Sequence, residues 1–460
     1  MQNYLEFLQQ YVDFPQDGFE VIDDELYFHD INLMEVLETY GSPLRITYLP
    51  IISKKIKQSK LYFQNAFLKH DYRGSYTYCY CTKSSHFRYV MEEALKNDVH
   101  LEISSGFDVP LVETLEKRGL ISKNTLVVAN GCKRDSYKQA LVDLMHDGFT
   151  NIIPVLDHKE ELNFYLNEVE GEFKLGVRVA IEEQPNFSVY TSRLGIRPDD
   201  ILDLYKDKIR KNDNVKLTML HFFINSGIAD TPYYWNELDE MIELYCELKK
   251  LNPELTQLNI GGGMPFRNSM AFDFDYEYVI SEIVRRVKAV CSQHDVLEPD
   301  IITEFGSYTV AESSAILFRV LTRKQQNDRE KWLMLDGSLM TTLPDIWAIN
   351  QRYILLPINN WDAEYERVYL GGITCDGHDF YGNDAQKNEI YMPRTRKVQY
   401  VGFFHTGAYQ ESLSGVGGIH HCLIPTPRHI IISRRKDETL NIELFAEEQN
   451  SKQVLKILGY

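Results

Sequence analysis

Four stretches of the chain carry residue types that could act together on one small molecule. Lys83 follows the β-rich run SYTYCY (75–80), within Cys-Thr-Lys-Ser-Ser. An amine held at the end of a strand can form an imine with a carbonyl compound. Gly261, Gly262 and Gly263 follow LNI (258–260), and Ser226 stands in an Asn-Ser-Gly turn after KLTMLHFFI (216–224). Glycine lets backbone N–H groups approach an anion closely, so both turns suit a phosphate. Glu304, in IITEF (301–305), adds a carboxylate. Each has an ordinary reading when taken alone. A single lysine after a strand is usually a solvated charge, glycine runs serve tight turns, and a glutamate can cap a strand. Their weight comes from a shared place, each at the C-terminal end of a β-rich run.

The elements that would position them alternate along the chain. LRITYL, SYTYCY, VHLEI (99–103), TLVVAN (125–130), NIIPVLD (151–157), KLGVRVAI (174–181), KLTMLHFFI, LNI and IITEF read as strands. Amphipathic stretches such as FRYVMEEALKND, SYKQALVDLMHDG and YYWNELDEMIELYCELKKLN separate many of them, the last with apolar residues at helical spacing. Repeated βα units predict an α/β class: parallel strands with helices outside, in a number that suits a closed (β/α)8 TIM-like barrel over 45–310. On pattern alone an open doubly wound sheet is also compatible. In a barrel of this kind, chemistry collects on the loops after the C-terminal strand ends, and phosphate on the late ones. From 311 to 460 the texture becomes strands with polar turns, which predicts an all-β, sandwich or barrel-like domain. The opening FEVIDDELYFHDINL reads as a hairpin, so segment 1–44 is expected to join that β domain.

Bulk properties exclude several roles. Lys plus Arg total 49 and Asp plus Glu 67, a net charge of −18, which argues against nucleic-acid or anionic-membrane partners. Seven cysteines without a CxxC pair point to a reducing compartment and to neither a disulfide framework nor a metal site. No basic-then-apolar leader opens the sequence and no apolar run reaches about 18 residues, so the cytoplasm is the expected location.

With these residues in place, the chain resembles the alanine-racemase-type (fold type III) decarboxylases of basic amino acids, which use pyridoxal 5'-phosphate. Tyr80-Cys-Thr-Lys83 is similar to the family's Tyr-x-x-Lys, whose lysine anchors the cofactor as a Schiff base. LEISSGFD (101–108) resembles the next strand motif and places Glu102 near that lysine. Gly261–Gly263 and Ser226 match the phosphate turns, and Glu304 matches the acid that bonds the pyridine nitrogen. Cys375-Asp376 in GGITCDGHD matches a Cys-Asp pair lent by a second subunit, and Tyr409 in GAYQ matches a phosphate contact. The resemblance therefore implies a homodimer with shared active sites. In it Cys375 reprotonates Cα and Asp376 takes the substrate's distal cation; Asp345 and Asp379 are further candidates for that cation. Arg193, in TSRLG, resembles a basic residue near the interface. LPDIWAINQ (343–351) and TGAYQESLSG look more like the biosynthetic arginine decarboxylases than the ornithine enzymes, implying arginine decarboxylation to agmatine for polyamine and spermidine synthesis.

Two positions depart from the family. Ser307 stands where an arginine usually helps hold phosphate, and a neutral hydroxyl bonds more weakly than a charged donor. Phe223 stands where a histidine stacks on the cofactor ring; a phenyl ring can stack but offers no proton. Other readings remain open at this stage: ornithine, lysine, diaminopimelate or carboxynorspermidine as substrate, a racemase, or a decarboxylase-like regulator without catalysis.

Overall fold

The computed structural model describes residues 2–181, 192–382, 389–411 and 421–460. Parts of two sequence motifs, residues 412–415 of TGAYQESLSG and residue 191 of TSRLG, lie outside the described residues. The chain divides into two compact units. One comprises Ile52–Pro265 and Phe274–Thr309; the other comprises Met1–Ile51, Phe266–Asp273 and Val310–Tyr460.

The first unit is a closed barrel of eight parallel strands. In chain order they are β1 (Tyr76–Cys81), β2 (His100–Ile103), β3 (Val127–Ala129), β4 (Ile152–Leu156), β5 (Phe173–Arg178), β6 (Val215–His221), β7 (Gln257–Asn259) and β8 (Asp300–Thr303). Strands buried on both faces need apolar side chains throughout, and β3 and β4 are buried along their whole length. The barrel's apolar packing includes Cys79, Val128, Ile153, Val155, Met219 and Ile302, from β1, β3, β4, β6 and β8. With the interior filled, polar side chains are free to gather at the C-terminal rim. The amphipathic stretches form helices, as their spacing predicts. The clearest is Pro232–Leu251, which starts on an N-cap from Thr231 with proline at its first position and buries Tyr234, Leu238, Met241, Tyr245 and Leu248 along one stripe.

The second unit is built on one ten-stranded sheet. Its long strand Ser314–Gln325 pairs with Leu44–Tyr48, Lys331–Leu335 and Tyr400–Phe404. Ile316, Phe318, Leu333, Leu335, Leu370 and Phe403 are among its fully buried core residues. The opening residues form the expected hairpin, Phe19–Ile22 against Glu25–Phe28, with Phe28 packed on Phe404. One strand differs from expectation. LRITYL, read as a strand of the 45–310 barrel, lies in this sheet, between Ser314–Gln325 and Arg428–Arg434. All five residues of Leu44–Tyr48 are buried, so its pattern carries no alternation that could distinguish a barrel strand from a central sheet strand. Within LPDIWAINQ, Pro344–Ile349 is a short helix, stopped by Asn350 in the left-handed region at φ 53°. No helix of the described residues is long and apolar enough to cross a membrane.

Candidate active site

At the C-terminal end of β1 the chain makes a tight turn, Thr82–Ser84. The Ser84 hydroxyl donates to the Cys81 carbonyl (2.7 Å) and the Tyr80 hydroxyl to the Ser85 carbonyl (2.8 Å). This fixed turn projects Lys83, whose Nζ lies 2.6 Å from Glu102 Oε2 and 2.9 Å from Cys81 Sγ. Glu102 sits on β2 beside Cys81 in register and is fully buried. The loop after β2 is held by Asp108, whose carboxylate accepts from the N–H groups of Ser104 and Ser105 and meets His86 at 3.0 Å.

From Glu102 a polar network crosses the barrel. Asn130, just after β3, donates through Nδ2 to Glu102 Oε1 (3.0 Å) and to both oxygens of Glu304 (3.0 Å). Glu304 also accepts from Asn259 Nδ2 at 2.6 Å and lies 3.3 Å from His221 Nε2. His221 ends β6, Asn259 ends β7 and Glu304 follows β8, so six strand ends converge on a few ångströms of space. A buried carboxylate is costly when ionised unless its lone pairs are filled and charge lies nearby. Burial does push Glu304 upward, but the charge and hydrogen bond of His221, the charge of Lys83 and the bond from Asn130 outweigh it and hold it at about 2. Burial raises the Cys81 thiol well above its usual value, so it stays protonated and donates to Glu102. Three buried polar atoms in the neighbourhood, His221 Nδ1, Asn130 Oδ1 and Tyr137 Oη, have no hydrogen-bond partner among the described residues.

Next to this network the loops after β6, β7 and β8 meet backbone to backbone. Glu304 N–H donates to Gly261 O (2.8 Å) and Ile228 N–H to Gly263 O (2.9 Å). A Cβ on Gly262 would fall 2.5 Å from the Glu304 carbonyl oxygen, and one on Gly263 2.8 Å from Gly227 Cα. The glycines thus leave a cradle that any side chain would fill. Ser226 is exposed at its edge, Ser307 opens the short helix Ser307–Val310, and the guanidinium of Arg178, ending β5, lies 5.9 Å from the Phe223 ring centroid. Arg193 stands exposed on the loop after β5.

The sequence pattern of the pyridoxal-dependent decarboxylases, over their pyridoxal binding domain, matches residues 54–311. This chain belongs to that family. Among similar members, the biosynthetic arginine decarboxylase of Prochlorococcus marinus (strain MIT 9215) is 20% identical over 91% of this chain and 83% of its own. Arginine decarboxylase 1, chloroplastic, of Arabidopsis thaliana is 22% identical over 84% and 71%. Among solved structures, the biosynthetic arginine decarboxylase of Campylobacter jejuni superposes with a TM-score of 0.80 at 18% identity, covering 100% of this chain and 91% of that one. At this identity it is the shared fold that the superposition demonstrates.

As a pyridoxal-dependent decarboxylase the chain uses pyridoxal phosphate, and its barrel rim fits that group. It offers an amine beside a carboxylate, an ionised acid with neutral amide donors around it, and a cradle free of side chains. Lys83 would hold the aldehyde carbon, Glu304 the ring nitrogen, and Gly261–Gly263 with Ser226 and Ser307 the phosphate. When bound, the cofactor supplies an electron sink for the charge left on Cα when carbon dioxide departs.

The remaining sequence candidates belong to the sheet unit. Cys375 is exposed, and half-buried Asp376 is held below the usual carboxylate range, chiefly by the His378 N–H and also by the His378 and His421 rings. Asp345 is engaged with Gln410, whose Nε2 donates to it at 2.7 Å, and burial raises it. Tyr409, beside Gln410, takes the left-handed conformation at φ 67°. Asp379 braces its own surroundings: it is buried and accepts from the N–H groups of Leu339 and Met340 and from the Thr374 hydroxyl. With both oxygens committed it has little left for a substrate cation. Asn130, Asn259 and His221 are the site residues that sequence reasoning missed. Each stands at or just after a strand end, the one signal that could have found them.

Proposed function

We propose that the chain decarboxylates L-arginine to agmatine and carbon dioxide, with agmatine destined for polyamine synthesis. The observation that carries the substrate is similarity along nearly the whole chain to biosynthetic arginine decarboxylases, covering 91% of it, sheet unit included. Lys83 would hold the cofactor at its aldehyde carbon. Ionised Glu304 keeps a proton on the ring nitrogen, which an opposite charge favours. Asp376 offers a carboxylate fork to the guanidinium, a bidentate match that an ammonium cannot make. Cys375 delivers the proton that Cα takes up after carbon dioxide leaves. The working form is a two-fold homodimer in which each subunit lends Cys375 and Asp376 to the other's barrel.

Carbon dioxide release from arginine, ornithine, lysine and meso-diaminopimelate, each alone with the cofactor-loaded protein, tests the substrate. Arginine should exceed the others in kcat/KM by about a hundredfold, the discrimination a paired guanidinium allows. Turnover of another amino acid with none of arginine would refute it. Asp376→Asn should raise KM for arginine more than it lowers kcat.

A further inference from the structure

Cys375 does not stand alone. Its Sγ lies 3.3 Å from Cys422 Sγ, and both residues are exposed. His421 Nδ1 is 3.0 Å from the Cys422 sulfur, while His421 Nε2 is 3.4 Å from Asp376 Oδ2. Two thiols at this separation need only a small approach to reach the S–S bond of about 2.05 Å. A histidine beside one of them can accept its proton, and the thiolate is the reactive form.

We propose that Cys375 and Cys422 form a reversible disulfide, a modification site that takes the Cys375 thiol out of use. The consequence for turnover rests on the proposed role of Cys375; the disulfide itself does not. The oxidant is a low-molecular-weight disulfide. Cys422, deprotonated by His421, attacks one of its sulfurs and expels one small thiolate. Cys375, after losing its proton, attacks the Cys422 sulfur of the mixed disulfide and expels the second. Two protein thiols are oxidised, one small disulfide is reduced to two thiols, and the two protons follow the leaving thiolates. The molecule carries its own control. Cys246 and Cys291 are also close, 3.9 Å between sulfurs, but both are fully buried between helices Pro232–Leu251 and Tyr276–Gln293, where a bulky disulfide cannot reach.

The test treats the cofactor-loaded full-length protein with oxidised glutathione, then maps peptides without reduction and assays decarboxylation. The expected result is a peptide linking Cys375 to Cys422, Cys246 and Cys291 still free, and turnover lowered about a hundredfold, as for loss of a general acid. Dithiothreitol should restore turnover, and Cys422→Ser should keep basal activity and lose far less of it to the oxidant. Absence of the linked peptide overturns the proposal whatever the activity does. A linked peptide with unchanged turnover upholds the disulfide and removes Cys375 from the proposed chemistry, so the two failures are distinct.

Discussion

Burial alone pushes Glu304 toward its neutral form; neighbouring groups reverse that. Because its folded value lies below its ordinary one, the ionised form is favoured by folding. That contribution is complete above about pH 4.5 and is lost as pH falls toward about 2. Glu304 should therefore remain charged through the neutral range and give the kcat profile no acid limb there, which a pH–rate series would check. Glu304→Gln keeps the shape but removes the charge that holds a ring proton. It should lower kcat by about a hundredfold or more while pyridoxal phosphate still binds, measured by turnover beside cofactor titration. Asn130→Ala should act in the same direction more weakly, since it removes a bond to each carboxylate. Lys83 and Glu304 stood out in the sequence because they fall, with the glycine and serine turns, at the same ends of β-rich runs and match the family's motifs. Asn130 and Asn259 were not, because an asparagine there is also an ordinary turn residue. What they do, filling the lone pairs of buried carboxylates, emerges only when the strand ends converge.

At the scale of elements, the cradle is made by three loops that lean on one another. The triple glycine was legible as a turn able to admit phosphate. That Gly262 must lack a Cβ because of the Glu304 backbone was not legible, since that contact joins positions 42 residues apart. Gly262→Ala should lower thermal stability by about 1–3 kcal/mol through overpacking and weaken pyridoxal phosphate binding, read by melting and by cofactor titration. A variant that binds the cofactor as tightly as the parent would show the cradle to be looser than these distances require. The barrel itself could be read from its βα alternation, but LRITYL could not be assigned to a sheet. A strand buried on both faces looks the same in either, and only long-range pairing decides.

Over the whole molecule the sheet unit carries an acid sensitivity of its own. His405 and His429 are buried, and burial lowers them to about 3 and about 4 respectively. Their neutral forms are favoured by folding. The associated stability is complete above about pH 6.5 and lost progressively as pH falls toward those values, because the unfolded chain takes up protons first. Thermal midpoints should drop steeply between about pH 6.5 and 4, and His429→Gln should flatten part of that slope. The proposed homodimer makes its own prediction. Mixing Lys83→Ala and Cys375→Ala subunits, each inactive, should recover about a quarter of normal activity, since half the dimers then hold one complete site. The measurement that bears most directly on the central claim uses L-arginine labelled at its carboxylate. Wild-type protein and Lys83→Ala, both offered pyridoxal phosphate, are assayed for labelled carbon dioxide, and borohydride reduction followed by peptide mapping locates the attached cofactor. The expected result is equal release of carbon dioxide and agmatine by wild type, cofactor fixed on Lys83, and loss of both in Lys83→Ala. Normal turnover of arginine by Lys83→Ala, or cofactor fixed on a different lysine, would contradict it.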